Sequence, residues 1–236
     1  MRHDYIEYQH GDTVLEGFFA APDTQEGSRP GVLIAHAWGG RDQFVIDKAK
    51  SLAEMGYCAF ALDNYGKGVL GSGPEENAQL MGPLIGDRSV LRDRLLKALE
   101  TLRAQPGVDP NQVAIMGYCF GGLCAIDLAR SGADIAGAVS FHGLLKPNGL
   151  EPQPISTKVL VLHGYDDPMV PPEDVLAFAS EMSAAGADWQ LHAYGHTQHA
   201  FAVPGANNPD LGALYDPTAA RRSWQAMMDF FEEIFE

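Results

Sequence analysis

The 236-residue chain is 46% hydrophobic and 20% charged, ordinary globular usage, with no Ser-, Gln- or Pro-dominated tract that would stay disordered. Its 16 Lys and Arg stand against 31 Asp and Glu, and the net charge of -15 repels phosphate backbones and anionic lipid, so neither nucleic acid nor a membrane is an expected partner. The opening MRHDYIEYQHGD carries no apolar segment, and no apolar run approaches the ~18 to 20 residues of a membrane span, so a soluble, cytoplasmic protein is expected.

Residues 5–9 and 15–20 read as two strands joined by His10-Gly11-Asp12, too short a link for a crossover, so they should pair antiparallel at one sheet edge. Beyond them β-rich and helical runs alternate, the pattern of βα units around a mostly parallel sheet. GVLIAH at 31–36 is a buried-strand run, and Asp42 caps a helix with Val45, Ala49 and Leu52 on one face. Residues 57–62 repeat the strand pattern. The Gly-rich stretch 66–86 shows no period and is expected to be a functional loop or lid.

Asp87 then caps a helix carrying Leu91, Leu95, Ala98 and Leu102. Residues 113–116 are a strand running straight into GYCFGG and a helix that ends near Gly132. Strands at 135–141 and 158–162 are linked by LLKPNGLEPQPIST, whose prolines exclude a long helix. A helix over 173–185 and a last strand over 189–194 follow. Asp216-Pro217 starts a final helix expected to bury Trp224, Met227, Phe231 and Ile234. No internal repeat or linker divides the chain, so one domain over 1–236 is expected, as monomer or homodimer.

The strongest local signal is Gly117-Tyr118-Cys119-Phe120-Gly121, GxCxG between a strand and a helix; chance composition would give roughly 0.04 such matches. A nucleophile on so sharp a bend is strained, and side chains two residues before and after would collide, which accounts for both glycines. A helix N-terminus and a nearby imidazolium would favour thiolate there. Cys58, inside YCAFAL, reads as core, and Cys124 as core or at most a redox neighbour. Three reduced thiols without a paired spacing argue against a disulfide framework.

The strand-GxCxG-helix unit resembles the nucleophile elbow of α/β-hydrolases, where an acid and then a histidine follow on the loops after late strands. In HGYDDPMVP, Gly164, Asp167, Val170 and Pro171 fit the GxxDxxVP pattern common in that fold, which favours Asp167 over the turn residue Asp166. In GHTQHAF, His199 before Ala200-Phe201 fits better than His196. The resemblance implies oxyanion donors at the backbone N–H of Phe120 and of Ala37.

From the antiparallel start through AHAWGG, GYCFGG, HGYDDPMVP and HTQHAF, the sequence resembles the dienelactone hydrolase family. That resemblance implies an α/β-hydrolase fold, a mostly parallel eight-stranded sheet with an antiparallel N-terminal edge and helices on both faces. It also implies a Cys119, Asp167, His199 triad, no cofactor, and a small ester or lactone substrate. The family archetype has a glutamate beside the oxyanion loop where His36 stands here, and an arginine four residues after the histidine where Val203 stands. A more apolar ester is then expected, in a pocket lined by His36, Trp38, Tyr65, Tyr118, Phe120 and Phe141.

Two rival readings remain open on sequence. His36, His142 and His163 each close a predicted strand and, with His196 and His199, could ligate a metal, although HExxH and similar patterns are absent. A noncatalytic hydrolase-fold binding module is the other. Activated phosphotriesters are conceivable side substrates of the triad.

Overall fold

The alternating first residues form a hairpin. β1 (Arg2–His10) and β2 (Thr13–Ala21) pair antiparallel about the turn at Gly11, which takes φ +56°. β3 (Arg29–Ala35), α1 (Gln43–Glu54), β4 (Cys58–Ala61), α2 (Pro74–Gly86), α3 (Arg88–Arg103) and β5 (Val108–Tyr118) follow. After them come α4 (Phe120–Arg130), β6 (Gly137–Phe141), β7 (Lys158–Gly164), α5 (Pro172–Ala184), β8 (Trp189–Tyr194) and α6 (Pro217–Phe235). The computed structural model describes residues 1–23 and 27–236.

The eight strands lie in the order β1-β2-β4-β3-β5-β6-β7-β8. β2 meets β4 antiparallel, whereas β3–β4, β6–β7 and β7–β8 are parallel, so the sheet is mostly parallel with an antiparallel edge. The chain groups into two compact units, Met1–Met116 and Gly117–Glu236.

In the first unit α1 packs on β2, β3 and β4 through Val45, Ala49 and Leu52, all fully buried. Its first turn is capped by Asp42, which accepts the Val45 N–H at 3.3 Å. Neighbouring strand residues face opposite ways. Phe18 meets Lys50 of α1, while Phe19 meets Arg2, which donates to the Pro106 carbonyl just beyond α3. In the second unit, a Cβ on Gly137 would lie 2.5 Å from Ile234 of α6, and Ser140, three residues on, faces Gly122 of α4. An odd spacing reverses the face, so helices cover both sides here.

Two expectations need correction, and one element is new. Only residues 66–73 of the Gly-rich stretch are loop; the rest is α2, weakly packed with only Leu84 buried, which is why no period shows. In α6 the buried positions are Ala219, Ser223, Met227, Phe230 and Phe231, while Trp224 and Ile234 are half-buried at the edge of that face. A two-residue ladder, β9 (Asn207–Asn208) with β10 (Ala213–Leu214), was not expected. Among the described residues no helix is long and apolar enough to cross a membrane.

At Gly17 of β2 an added Cβ would lie 2.1 Å from Cζ of the fully buried Phe60. Gly17→Ala should therefore lower stability by about 1 to 3 kcal/mol in urea unfolding, and Phe60→Leu in the same chain should recover part of the loss.

Candidate active site

β5 ends at Tyr118 and α4 begins at Phe120, so Cys119 alone makes the bend, at φ +56° and ψ -114°. A residue with a β-carbon is strained at this positive φ, and the neighbouring backbone holds it there. The Cys119 N–H donates to the Phe141 carbonyl at 3.0 Å, and the Cys119 carbonyl accepts from Gly122 and Leu123 at 3.0 and 3.2 Å. The bend folds Gly117 onto Gly121 so tightly that a Cβ on Gly117 would meet the Gly121 oxygen at 2.1 Å. That contact is the physical reason for the first glycine of GxCxG. A Cβ on Gly122 would meet Ser140 Oγ at 2.6 Å and the Gly143 Cα at 2.8 Å, so the helix start can press against the end of β6 only without one.

Cys119 keeps partial exposure, whereas Cys58 and Cys124 are buried. The Cys58 thiol donates to the Gly107 carbonyl at 3.4 Å, and burial pushes its pKa up. Cys119 is the N-cap of α4, so its side chain sits at the end of the helix where the open N–H groups point.

The loop after β7 carries Asp167 and the loop after β8 carries His199. His199 Nδ1 lies 2.7 Å from Asp167 Oδ2, both residues being 3% exposed. The other carboxylate oxygen accepts the Met169 N–H at 2.8 Å. Asp166 and His196 are instead on the surface, 3.8 Å apart. The two loops meet at Gly164, where a Cβ would lie 2.6 Å from the Gln198 carbonyl oxygen and 2.7 Å from that of Thr197. Burial pulls the His199 pKa down, but hydrogen bonds and charge from Asp167 and Cys119 outweigh it, and the ring is pushed up to about 10. Its Nε2 is buried and makes no hydrogen bond of good geometry, while the Cys119 sulfur is near enough to favour the protonated ring.

Two further buried histidines stand close by. His142, left-handed at φ +40°, packs edge-on against His199 with ring centroids 5.1 Å apart, and against Phe201 at 5.2 Å. Burial first, and the charge of His199 second, hold its pKa well below the usual histidine value, so its ring is neutral. His163, at the end of β7, is likewise depressed by burial. Among the described residues no three His, Cys, Asp or Glu side chains converge to hold a metal ion.

In the N-terminal unit, His36 is fully buried at the end of β3. Its Nε2 accepts the Asn64 N–H at 3.1 Å, which leaves Nδ1 to donate to the Ala37 carbonyl at 2.7 Å. The same carbonyl accepts from Gly40, closing the turn that carries Ala37 and Trp38. Tyr65 donates its hydroxyl to the Trp38 carbonyl at 2.9 Å, and both side chains are half-buried. His36, Tyr118, Phe120 and Phe141, expected as pocket lining, are instead at most 1% exposed. Tyr118 stacks on Phe141 at 4.8 Å, so these rings are interior packing.

The sequence reading missed the β9–β10 segment. The His199 N–H donates to the Gly212 carbonyl at 2.8 Å, and the Leu214 N–H donates to the His199 carbonyl at 2.9 Å, so this short ladder grips the histidine backbone on both sides. The signal for it is thin: Asn208 accepts from Leu211 to start a single 3-10 turn, and Gly212 ends it left-handed.

The model of the Dienelactone hydrolase family matches residues 15–235. The chain belongs to that family. The solved structure titled m3DLH superposes with a TM-score of 0.95 at 38% identity, covering 100% of this chain and 99% of that one. A dienelactone hydrolase-like promiscuous phosphotriesterase from metagenomic libraries superposes at 0.91 with 34% identity, covering 100% and 99%. A protein of Aquifex aeolicus (strain VF5), provisionally named a carboxymethylenebutenolidase, is 26% identical over 232 residues, 96% of each chain. These likenesses make the fold that of the α/β-hydrolases and the protein a member of a hydrolase family.

The elevated His199 pKa has a consequence for this dienelactone hydrolase family member. The folded value, about 10, lies above the ordinary 6.5, so folding takes up a proton between them. The stabilisation is complete below about pH 6.5 and is lost as pH rises through about 10. In urea unfolding, the stability gap between the natural chain and His199→Gln should be widest at pH 6 and shrink steadily to pH 10; a gap independent of pH would contradict the assigned shift.

Proposed function

We propose that this hydrolase cleaves carboxylic esters or lactones by nucleophilic attack of Cys119, with His199 as base and acid and Asp167 as the group that orients it. One observation carries the reading: a half-exposed thiol on a strained bend at a helix N-terminus, beside an imidazole whose far nitrogen is 2.7 Å from a buried carboxylate.

Asp167 takes the Nδ1–H of His199, which fixes the tautomer that leaves Nε2 to accept the thiol proton. Sγ bonds to the substrate carbonyl carbon, and the π electrons move to its oxygen. The N–H of Phe120, first in α4, serves as a donor to that oxyanion. Collapse expels the alkoxide, which takes the proton from Nε2 and leaves a thioester on Cys119. Forming the thioester removes the sulfur's negative charge, one of the causes that raise the His199 pKa, so the ring becomes a stronger acid when the leaving group needs its proton. A water then attacks the thioester, gives its proton to Nε2, and the acid departs as the thiol is restored.

The likeness to a promiscuous phosphotriesterase supports a second electrophile at the same sulfur, an activated phosphotriester whose phosphoryl oxygen would occupy the oxyanion position.

p-Nitrophenyl acetate should be hydrolysed in the presence of EDTA, with the activity abolished by iodoacetamide and by Cys119→Ala. Asp167→Asn should lower kcat on the order of 10²- to 10⁴-fold through the wrong tautomer. Rapid-quench mass spectrometry should find the acyl group on the peptide holding Cys119. Acyl mass confined to Cys124, or activity lost to EDTA and restored by zinc, overturns the reading.

A further inference from the structure

Gly212 lies outside every motif, yet three independent contacts meet at it. Its carbonyl accepts the His199 N–H at 2.8 Å. Its backbone is left-handed, φ +62° and ψ +29°, held by its own N–H donating to Pro209 at 3.0 Å. Third, a Cβ there would lie 2.3 Å from Cγ and 2.6 Å from Cδ of Pro168, the residue directly after Asp167. Pro168 is a closed ring on a turn already fixed at both sides, because Asp167 donates to the Gly164 carbonyl at 3.1 Å and Val170 donates to that of Asp167 at 3.2 Å. The ring therefore cannot swing away as a flexible side chain would.

We infer that Gly212 is a positioning residue for the reaction: the close seat of its α-carbon on Pro168 sets the distance between the loop that carries Asp167 and the loop that carries His199. The same loops also meet at Gly164, and the Asp166 N–H donates to the Thr197 carbonyl at 3.0 Å, but Gly212 joins the residue after Asp167 to the backbone of His199 itself. The ladder Asn207–Asn208 with Ala213–Leu214 supplies the stiffness, since Leu214 returns a second bond to the His199 carbonyl at 2.9 Å, and Asp216 donates to the Phe201 carbonyl at 3.1 Å just beyond. The ladder and turn are largely exposed, and only Gly212 among residues 207–214 is buried. A surface segment thus reaches inward at a single residue, which accepts from one member of the acid-base pair and packs on the residue next to the other. The inference rests on the triad reading above, but its geometric part stands apart from any activity.

A side chain at 212 must push Pro168 and the Asp167 turn away from His199, lengthening the 2.7 Å bond without touching the thiol or the substrate. Misplacement by a fraction of an ångström up to 1 Å costs up to on the order of 100-fold in rate. In Gly212→Ala, kcat for p-nitrophenyl acetate should fall about 10- to 100-fold with KM changed little. Adding Pro168→Ala, which removes Cγ and Cδ, should restore most of the loss. Gly205→Ala is the control: also left-handed, at φ +85°, but with open space about its Cβ, it should keep its rate.

Proton NMR of the same proteins reads the pair directly, through the downfield signal of the Nδ1–H between His199 and Asp167. That signal should shift or vanish in Gly212→Ala and return in the double variant, whether or not the ester is a substrate. An inactive natural chain that keeps this pattern would remove the proposed function and leave the positioning role. Should Gly212→Ala not fold, Leu214→Pro, which removes the N–H given to His199 at the cost of a fixed φ and the lost Leu side chain, should weaken the same signal. A folded Gly212→Ala with kcat within about twofold of the natural chain and an unmoved signal, or a loss that Pro168→Ala does not relieve, would overturn the inference.

Discussion

Everything at the candidate site depends on a buried carboxylate and a buried imidazole being held 2.7 Å apart. Burying two ionisable groups is expensive, and the attraction between them offsets that cost only when the geometry is tight and the remaining lone pairs are satisfied. Both conditions hold for Asp167. One oxygen takes the Met169 N–H and the other takes His199, so neither lone-pair set is abandoned. For His199 the backbone is also committed, N–H to Gly212 and carbonyl to Leu214. Only Nε2 is left over, and that is the atom whose valence the chemistry uses.

The means of holding the loops together is close backbone approach at residues without side chains. Gly117 lies on Gly121, Gly122 on Gly143, Gly164 on the Thr197 and Gln198 carbonyls, and Gly212 on Pro168. Read in order, these contacts fasten the bend at Cys119, then the bend to the end of β6, then the acid loop to the histidine loop, and finally the ladder after the histidine loop back to the acid loop. Interiors packed to this density do not deform smoothly, so a methyl group at any of the four moves a functional atom rather than being absorbed.

Much of this was legible in the residues, for local reasons. Asp42, Asp87 and Asp216 announce helix starts because a carboxylate before an apolar-periodic run satisfies the open N–H groups, and all three accept such bonds. GxCxG was legible because its constraint acts within five residues. His199 was separable from His196, and Asp167 from Asp166, only through likeness to a fold, and the structure places the first of each pair together and leaves the others on the surface. What escaped reading depends on partners distant in the chain. α2 carries Gly82 and Pro83 inside a helix with one buried residue, so it has no face to betray it. β9 and β10 are two residues each and gain their order from His199. His36 has the same strand-end setting as His142, yet both its ring nitrogens serve the backbone, a fact fixed by Asn64 twenty-eight residues away.

His142 shows how the strain is distributed. Among the described residues, the non-glycine residues with left-handed backbone are Cys119, His142, His196 and Ala200, all at strand ends or loops around the triad. Each such conformation costs of order 1 kcal/mol or more, and a fold keeps it only where surrounding contacts leave no alternative. At His142 there is a second cost, because both ring nitrogens are buried and neither makes a hydrogen bond of good geometry. A phenyl ring would fill the same box among Tyr118, His199 and Phe201 and leave no polar atom stranded. The stability given up here is concentrated within one ring's contact of His199, whereas the caps and helix faces elsewhere in the chain obey local preference. Strained backbone therefore gathers at the carboxyl ends of β5 and β6 and in the loop after β8, where the Cys119 N–H is held by the Phe141 carbonyl at the end of β6.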